Sequence, residues 1–351
     1  MYEVTIAIPV FNAEKTIEAT LYSALNQTFN SIEFLIINDA SEDNTIEIIQ
    51  SIKKNHPKGN DITIINHEIN SGIGSARNTA INKAMGKYLF FLDSDDLITE
   101  KSIELLHKAI RIQNYNVAIG SHKHFNISTL EEKIYLLPNK QGCIKGELAY
   151  LRYGDLHHVL GFYVWNILYD IDFIHKNTIQ FKNYRIGEDI VFLYDLLPLV
   201  ESYTLIPEIT YTYVKHTNSL SKHLKRNLIP KSEIDQQIDI RLYGINKIKS
   251  LKDTYYIDKM VTNQIKYFFE AASFIVINKS RIKPNVNSIK IKALLTHPLT
   301  LPEICNLKTG KLYNLLFCVW GKMPYKLIEL SLIAFFYLLK TSQFIKKQIQ
   351  R

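Results

Sequence analysis

The sequence predicts an α/β fold on a parallel, doubly covered sheet. Apolar β-branched runs alternate with amphipathic helical stretches over its first hundred residues, and polar residues collect just after each run. Charge marks off a second region. Residues 222–351 carry 23 Lys and Arg against 8 Asp and Glu, a balance of +15, while residues 1–221 carry 19 against 26, a balance of −7. We therefore expect two domains: 1–221, acidic and carrying the chemistry, and 222–351, helical and basic, facing something anionic.

Taken in order, Glu3 to Phe11 reads as a buried strand ended by Pro9 and Asn12, followed by an amphipathic helix to about Gln27. The pairing recurs as strand Ile32 to Asn38 with helix Ser41 to Lys54, and as strand Ile62 to Ile65 with helix Gly72 to Met85; a further strand runs from Lys87 to Leu92. In open sheets of this kind ligands bind beyond the carboxyl ends of the strands. The loops Pro9 to Glu14, Asn38 to Ser41 and Asp93 to Asp96 should then meet at one crevice. From about Lys222 the pattern turns to long helical segments rich in Lys, Ile and Leu, broken near Pro284, Pro298 to Pro302 and Pro324.

At 46% hydrophobic and 22% charged residues, the chain has the make-up of a globular protein rather than a fibre or a disordered tail. Its three cysteines, Cys143, Cys305 and Cys318, form neither a disulfide framework nor a zinc pair, which favours a reducing cytoplasmic setting. Met1-Tyr2-Glu3-Val4-Thr5 has no basic stretch leading into an apolar run, so no signal peptide is expected. Leu327 to Leu339, between Lys326 and Lys340, contains Glu329 and falls short of the roughly 20 residues a bilayer demands.

Asp93-Ser94-Asp95-Asp96 directly follows the apolar run Tyr88 to Leu92. Three crowded carboxylates resist ionising together without a cation, and hard oxygen ligands suit Mn²⁺ or Mg²⁺ bridged to a diphosphate. The alternative is a turn whose acids cap the helix starting near Thr99 or Glu100. Gly72-Ile73-Gly74-Ser75-Ala76-Arg77 hints at a dinucleotide fingerprint, but Arg77 stands where a small residue is needed and the first strand lacks the motif. Farther on, Gly187-Glu188-Asp189 precedes the apolar Ile190 to Tyr194, where two acids either complement a helix dipole or carry chemistry.

Read together, Ile8-Pro9-Val10-Phe11-Asn12, Asn38-Asp39-Ala40-Ser41-Glu42-Asp43-Asn44-Thr45, Gly72 to Asn78 and Asp93-Ser94-Asp95 resemble, in order, four motifs of the family 2 glycosyltransferases. The resemblance covers roughly residues 1–221. It implies a GT-A fold, a Rossmann-like mostly parallel sheet with flanking helices, followed here by the helical basic region. It implies that Pro9, Phe11, Asn12, Glu14 and Asp39 surround the uracil and ribose of a UDP-sugar, and that Arg77 lines the same pocket. Asp93, with Ser94 beside it, would face ribose or donor sugar, and Asp95 would hold the divalent cation, Mn²⁺ or Mg²⁺, with His216 as a further ligand. The family's acidic pair supplies the base of an inverting transfer: Asp189 would be that base and Glu188 would orient the acceptor. Val164-Trp165-Asn166-Ile167-Leu168-Tyr169 is similar to the family's segment before the base, although Ile167 replaces the usual lysine. Trp165 there either stacks on an acceptor sugar or serves as a core aromatic beside Phe162 and Tyr163.

The implied activity is transfer of one sugar, galactose, glucose or an N-acetylated hexose, to a glycan or lipid-linked acceptor in cell-surface polysaccharide synthesis. Neither the Q-x-x-R-W motif nor the membrane spans of processive synthases are present. A non-catalytic sugar-binding module of the same fold is the alternative, and Glu188 with Asp189 argues against it. Lys322, Lys326, Lys340, Lys346, Lys347 and Arg351 bracket the apolar stretch holding Phe335, Phe336 and Tyr337, which suits an anionic membrane surface and a peripheral position at the inner face of the cell membrane. No nucleic-acid partner is expected, because the basic half has no zinc-finger spacing and no RNA-recognition sequence.

Overall fold

The computed structural model describes residues 2–216, 226–251, 257–334 and 336–337. The hydroxyl-bearing stretch Thr217 to Ser221, Phe335, and the basic residues Lys340, Lys346, Lys347 and Arg351 lie outside them. The chain divides into two compact units, Met1–Ser219 and Leu220–Arg351.

The first unit opens with three strand–helix pairs: β1 (Val4–Val10) and α1 (Ile17–Leu25), β2 (Ile32–Asn38) and α2 (Thr45–Asn55), β3 (Ile62–Asn66) and α3 (Ile73–Lys83). After them come β4 (Tyr88–Phe91), β5 (Leu97–Ile98), α4 (Ser102–Arg111), β6 (Val117–Asn126), β7 (Glu132–Tyr135) and β8 (Lys140–Gly142). The unit continues through α5 (Glu147–Tyr153), α6 (His157–Leu160), β9 (Ile167–Asp170), α7 (Ile171–Lys176), α8 (Glu188–Leu196) and β10 (Tyr203–Lys215).

The strands form one sheet in the order β3-β2-β1-β4-β9-β6-β10-β5, with β7 beside β6 and β8 beside β10. The β3-β2-β1-β4 part is parallel throughout, and β1 and β2 are buried at every position, as expected where helices cover both faces. Beyond β4, the antiparallel β9 sits between β4 and β6, which leaves β6 and β10 running parallel to each other and in the same sense as β4. The carboxyl ends of β1, β2, β4, β6 and β10 therefore lie along one edge of the sheet.

Pro9 falls inside β1 rather than ending it. Val10 accepts from Asp39 N–H on the β2 side, whereas Ala7 accepts from Leu92 N–H on the β4 side. By alternation the nitrogen of Pro9 faces β4, whose pairing with β1 stops at Ala7↔Phe91, so the ladder loses no bond there.

The second unit consists mainly of helices: α9 (Lys231–Ser250), α10 (Ile257–Ile277), α11 (Ser288–Leu294), α12 (Leu301–Cys305), α13 (Lys311–Gly321) and a helical stretch over 325–334. A short parallel pair, Ile229–Pro230 with Ile282–Lys283, ties the start of α9 to the segment after α10. Met260, Val261, Ile265, Phe268, Ala272 and Val276 form the buried stripe of α10. Leu312, Leu316 and Val319, at i, i+4 and i+7 on α13, are instead exposed, as are Leu327 and Leu330 on the next helix. Among the described residues no helix is long and apolar enough to cross a membrane.

Candidate active site

The loops after β1 and β2 hold each other through side chains. Asn12 N–H donates to Ser41 Oγ at 3.1 Å and Glu42 N–H to Asn12 Oδ1 at 2.8 Å, while Glu14 Oε2 accepts from Asn44 Nδ2 at 3.0 Å. Asp43 accepts from the Glu14 N–H at 3.0 Å and from the Thr45 hydroxyl, and that hydroxyl accepts in turn from Ala13 N–H at 2.8 Å. Burial would raise the Asp43 pKa, but the bonds from Thr45 and Glu14 outweigh it and hold the carboxyl low. This bracing occupies residues 41–44, which is why α2 begins at Thr45 and not at Ser41. Asn12 and Glu14 thus brace the loops after β1 and β2 against each other, and Phe11 beside them stands 47% exposed.

Asp39, buried at the carboxyl end of β2, is held by the loop ahead of α3. Its Oδ1 accepts from Ser71 N–H at 2.9 Å and pairs with His67 Nδ1 at 2.7 Å, and its Oδ2 accepts from Gly72 N–H at 2.7 Å. Gly72 has φ of +87°, which a side chain would strain, and so turns the chain into α3 with its N–H aimed at the carboxylate. Ala40 next door sits at φ +60°, an uncommon conformation for a residue with a Cβ, held by Ser41 N–H on Asn38 Oδ1 at 3.0 Å. His67 and Ser71 belong to no motif in the sequence.

The centre of the site is Arg77 on α3. The motif reading sets it against a nucleotide, but its guanidinium, 3% exposed, is committed to protein: Nη2 donates to Asp93 Oδ1 and Nη1 to Glu188 Oε1, each at 2.8 Å. Phe181 and Phe91 flank the cation at 5.4 and 6.0 Å. Burial alone would depress the Arg77 pKa, yet Asp93 and Glu188 hold it raised. One buried cation therefore joins the acidic turn after β4 to the acidic pair opening α8, two motifs 95 positions apart. Gly74 makes the approach possible, since a Cβ there would stand 3.1 Å from Lys182 O and 3.4 Å from Phe181 Cβ.

Beside this bridge, Asp189 is half-buried and its carboxyl is pushed up to about 7 by burial and then by Glu188, with Arg77 opposing. Glu188 itself is raised by burial against the pull of Arg77. A buried carboxyl raised toward neutrality beside a second acid is suited to proton abstraction. In the turn after β4, Asp95 is raised to about 6, by burial first and by Asp93 second, with His216 working the other way; His216 Nε2 lies 3.3 Å from the Asp95 carbonyl oxygen. Ser94 offers its carbonyl to Thr20 Oγ1 at 3.0 Å. Asp96, fully buried, accepts from the Tyr211 hydroxyl and the Val214 N–H at 2.7 Å each, so this acid anchors β10 rather than facing a ligand.

Among the described residues no three His, Cys, Asp or Glu side chains converge as a cage for a metal ion. The donor set fits a cation only in part: Asp95 has no ion-pair partner among the described residues and is reluctant to ionise, and Asp93 has one oxygen left over from Arg77.

Trp165 is 7% exposed and lies in an aromatic stack, between Tyr163 at 3.7 Å and Tyr211 at 4.4 Å with interplanar angles of 7° and 12°. It also lines a cavity, as do His122 and His124 on β6, residues that no sequence motif marks.

A parallel sheet whose carboxyl edge carries an acidic turn, with a second acidic pair brought to it by a helix, defines a GT-A type α/β protein. Its crystallographic neighbours share that fold: S. aureus TarS 1-349 superposes with a TM-score of 0.64 over 94% of this chain and 90% of that one, at 16% identity. The family model for glycosyl transferase family 2 matches residues 5–167. Poly(ribitol-phosphate) beta-N-acetylglucosaminyltransferase TarP of Staphylococcus aureus is 32% identical over 65% of this chain and 67% of its own length. The chain belongs to glycosyltransferase family 2. It is also similar to the uncharacterized glycosyltransferase EpsJ of Bacillus subtilis, at 29% identity over 62% of this chain and 63% of that protein, and to the cholesterol galactosyltransferase of Borreliella burgdorferi, at 25% over 66% and 65%. The alignments thus span about two thirds of these relatives' lengths.

Proposed function

We propose that the chain transfers a single sugar, with inversion, from a UDP-sugar to a hydroxyl of a surface-glycan or lipid-linked acceptor. The observation that supports this reading is the Arg77 bridge, which ties the acidic turn at Asp93 to Glu188, the neighbour of the proposed base Asp189. Asp189 accepts the acceptor's proton as its oxygen attacks the anomeric carbon, and Glu188, fixed by Arg77, keeps the start of α8 in place. Phe11 and the Asp39 loop receive the uridine. A divalent cation on Asp95, with Asp93 and His216 nearby, would neutralise the departing diphosphate. TarS has been solved with UDP-GlcNAc and with UDP, and the TarP name specifies N-acetylglucosaminyl transfer, so UDP-N-acetylhexosamines are the first donors to try.

Calorimetric titration tests the donor site. With Mn²⁺, UDP is expected to bind and ADP and GDP are not; EDTA should remove the heat. Because Asp95 ionises only above about pH 6, binding at pH 5 should be roughly tenfold weaker than at pH 8. Absence of binding to any nucleotide by the folded protein would sink the Asp39 and Asp95 assignments.

We assign the second unit a peripheral role at an anionic membrane. The exposed stripe Leu312, Leu316 and Val319 and the exposed Leu327 and Leu330 lie among Lys311, Lys322 and Lys326, a pairing of apolar face and cationic flank that complements an acidic lipid layer. Sedimentation with phosphatidylglycerol vesicles should carry the protein down, with release at 0.5 M salt and about tenfold weaker binding for a Leu316→Glu, Val319→Glu variant. Equal binding to phosphatidylcholine alone would refute the assignment.

A further inference from the structure

Next to the crevice, where β6 and β10 approach their carboxyl ends, lies a cavity of about 360 Å³. That is near the lower end of small-molecule sites and leaves room for a monosaccharide-sized group. Strand periodicity builds it. His122 and His124 project from one face of β6, matched by Tyr211 and Tyr213 on β10, and Tyr135 of β7 lies across from His122. The His122 and Tyr135 rings stack at 4.8 Å and 8°. Trp165 and Tyr213 supply further aromatic wall.

The charged side chain in the lining of this cavity is a cation, and two more cations lie against its aromatic wall. Lys215 is in the wall, Lys133 lies 4.9 Å from the Tyr135 ring, and Arg152 lies 5.5 Å from the ring of Tyr163; no Asp or Glu occurs in the lining among the described residues. Arg152 is 1% exposed and donates to the carbonyls of Gly161 and Tyr163, yet among the described residues its Nη1 has no hydrogen-bond partner and no carboxylate forms an ion pair with it, Asp189 acting on it only at longer range. A buried guanidinium left in that state is costly, and burial pulls its pKa down. The field reaches both the His122 side of the cavity and Asp189. Burial, and then neighbouring positive charge, push His122 down to about 3 and His124 to about 4, so both imidazoles are neutral hydrogen-bonding groups at working pH.

We propose that this cavity is the acceptor subsite and that it selects a sugar ring carrying an anionic group, a phosphate ester or a carboxylate. Aromatic walls take the apolar face of the ring, the neutral imidazole of the part-buried His124 bonds its hydroxyls while His122, tied to the Tyr163 hydroxyl, fixes the wall, and Lys215 with the Arg152 field holds the anion. This deepens the transferase reading and rests on it for the word acceptor; the preference for an anionic sugar rests on the cavity alone.

Fluorescence tests it. The chain has two tryptophans, so a Trp320→Phe variant leaves Trp165 as the sole reporter, inside the cavity wall. Glucose 1-phosphate and glucuronate are each titrated beside glucose and inorganic phosphate. We expect at least one of the two anionic sugars to perturb Trp165 with a Kd at least tenfold below that of glucose, and the two arms to show which anion the site prefers. Lys215→Met, an exposed position, should weaken that binding about tenfold. Glucose matching the tighter of the two anionic sugars, inorganic phosphate matching that same sugar, or an unchanged Lys215→Met Kd would each overturn the proposal. UDP calorimetry on the same protein separates the two readings: UDP binding without sugar binding removes the acceptor subsite and keeps the donor site, and the converse removes the transferase reading and keeps an anionic-sugar site.

Discussion

Asp189→Asn is expected to lower sugar transfer by a factor of about 10² to 10⁴, the usual contribution of a positioned base, while UDP affinity stays within about twofold. Asparagine preserves the shape of the side chain and cannot accept the proton. The wild-type rate should climb as pH rises through about 7, where Asp189 loses its proton, and level off above it. In Asp189→Asn that rising limb should flatten. The measurement is UDP release from UDP-N-acetylhexosamines across pH 5.5 to 9 with a glycan acceptor. Near-normal transfer by the variant would move the base assignment to Glu188, whose Oε1 is already occupied by Arg77.

Arg77→Met should have the largest structural effect in the molecule. It strips the cation from Asp93 and Glu188, and breaking a buried pair from one side typically costs 3–5 kcal/mol, because the charge left behind is uncompensated. For a unit of this size that corresponds to a fall in melting temperature on the order of 10 °C, with loss of Mn²⁺-dependent UDP binding. Adding Glu188→Gln to Arg77→Met removes one orphaned charge and should recover about 1 kcal/mol or more. A melting temperature for Arg77→Met within about 2 °C of wild type would show that the bridge is not what joins the two acidic motifs.

The parallel half of the sheet was legible in the sequence because β1, β2 and β4 are buried on both faces and so read as unbroken apolar runs, each ending in polar loop residues. Of the half beyond β4, only Ile209 to Lys215 reads as a strand, and it is the end of β10. There β9 and β10 reach the sheet after long, irregular connections, and their neighbours are set by tertiary packing rather than by local period. Motif residues were visible for the same local reason, since Asp39, Asp93 and Asp95 sit where a strand stops. What those residues touch was hidden. The partner of Arg77 on α8 is 111 positions away, and Asp39 is held by His67 and Ser71, which belong to no pattern. Alternation of His122 and His124 along β6 was the available clue to the cavity; it gains meaning only beside Tyr135 and Tyr213, brought in from other strands.

Tyr211 belongs to two neighbourhoods at once. Its hydroxyl donates to Asp96 and accepts from the Asp93 N–H in the acidic turn after β4, and its ring is stacked flat on Trp165 in the cavity wall. With donor and acceptor seated as proposed, this shared wall is a route for coupling, and whatever factor the donor applies to the acceptor's affinity, the acceptor applies to the donor's. Transfer from such a ternary complex is expected to give initial-rate lines that intersect, where a double-displacement scheme would give parallel ones.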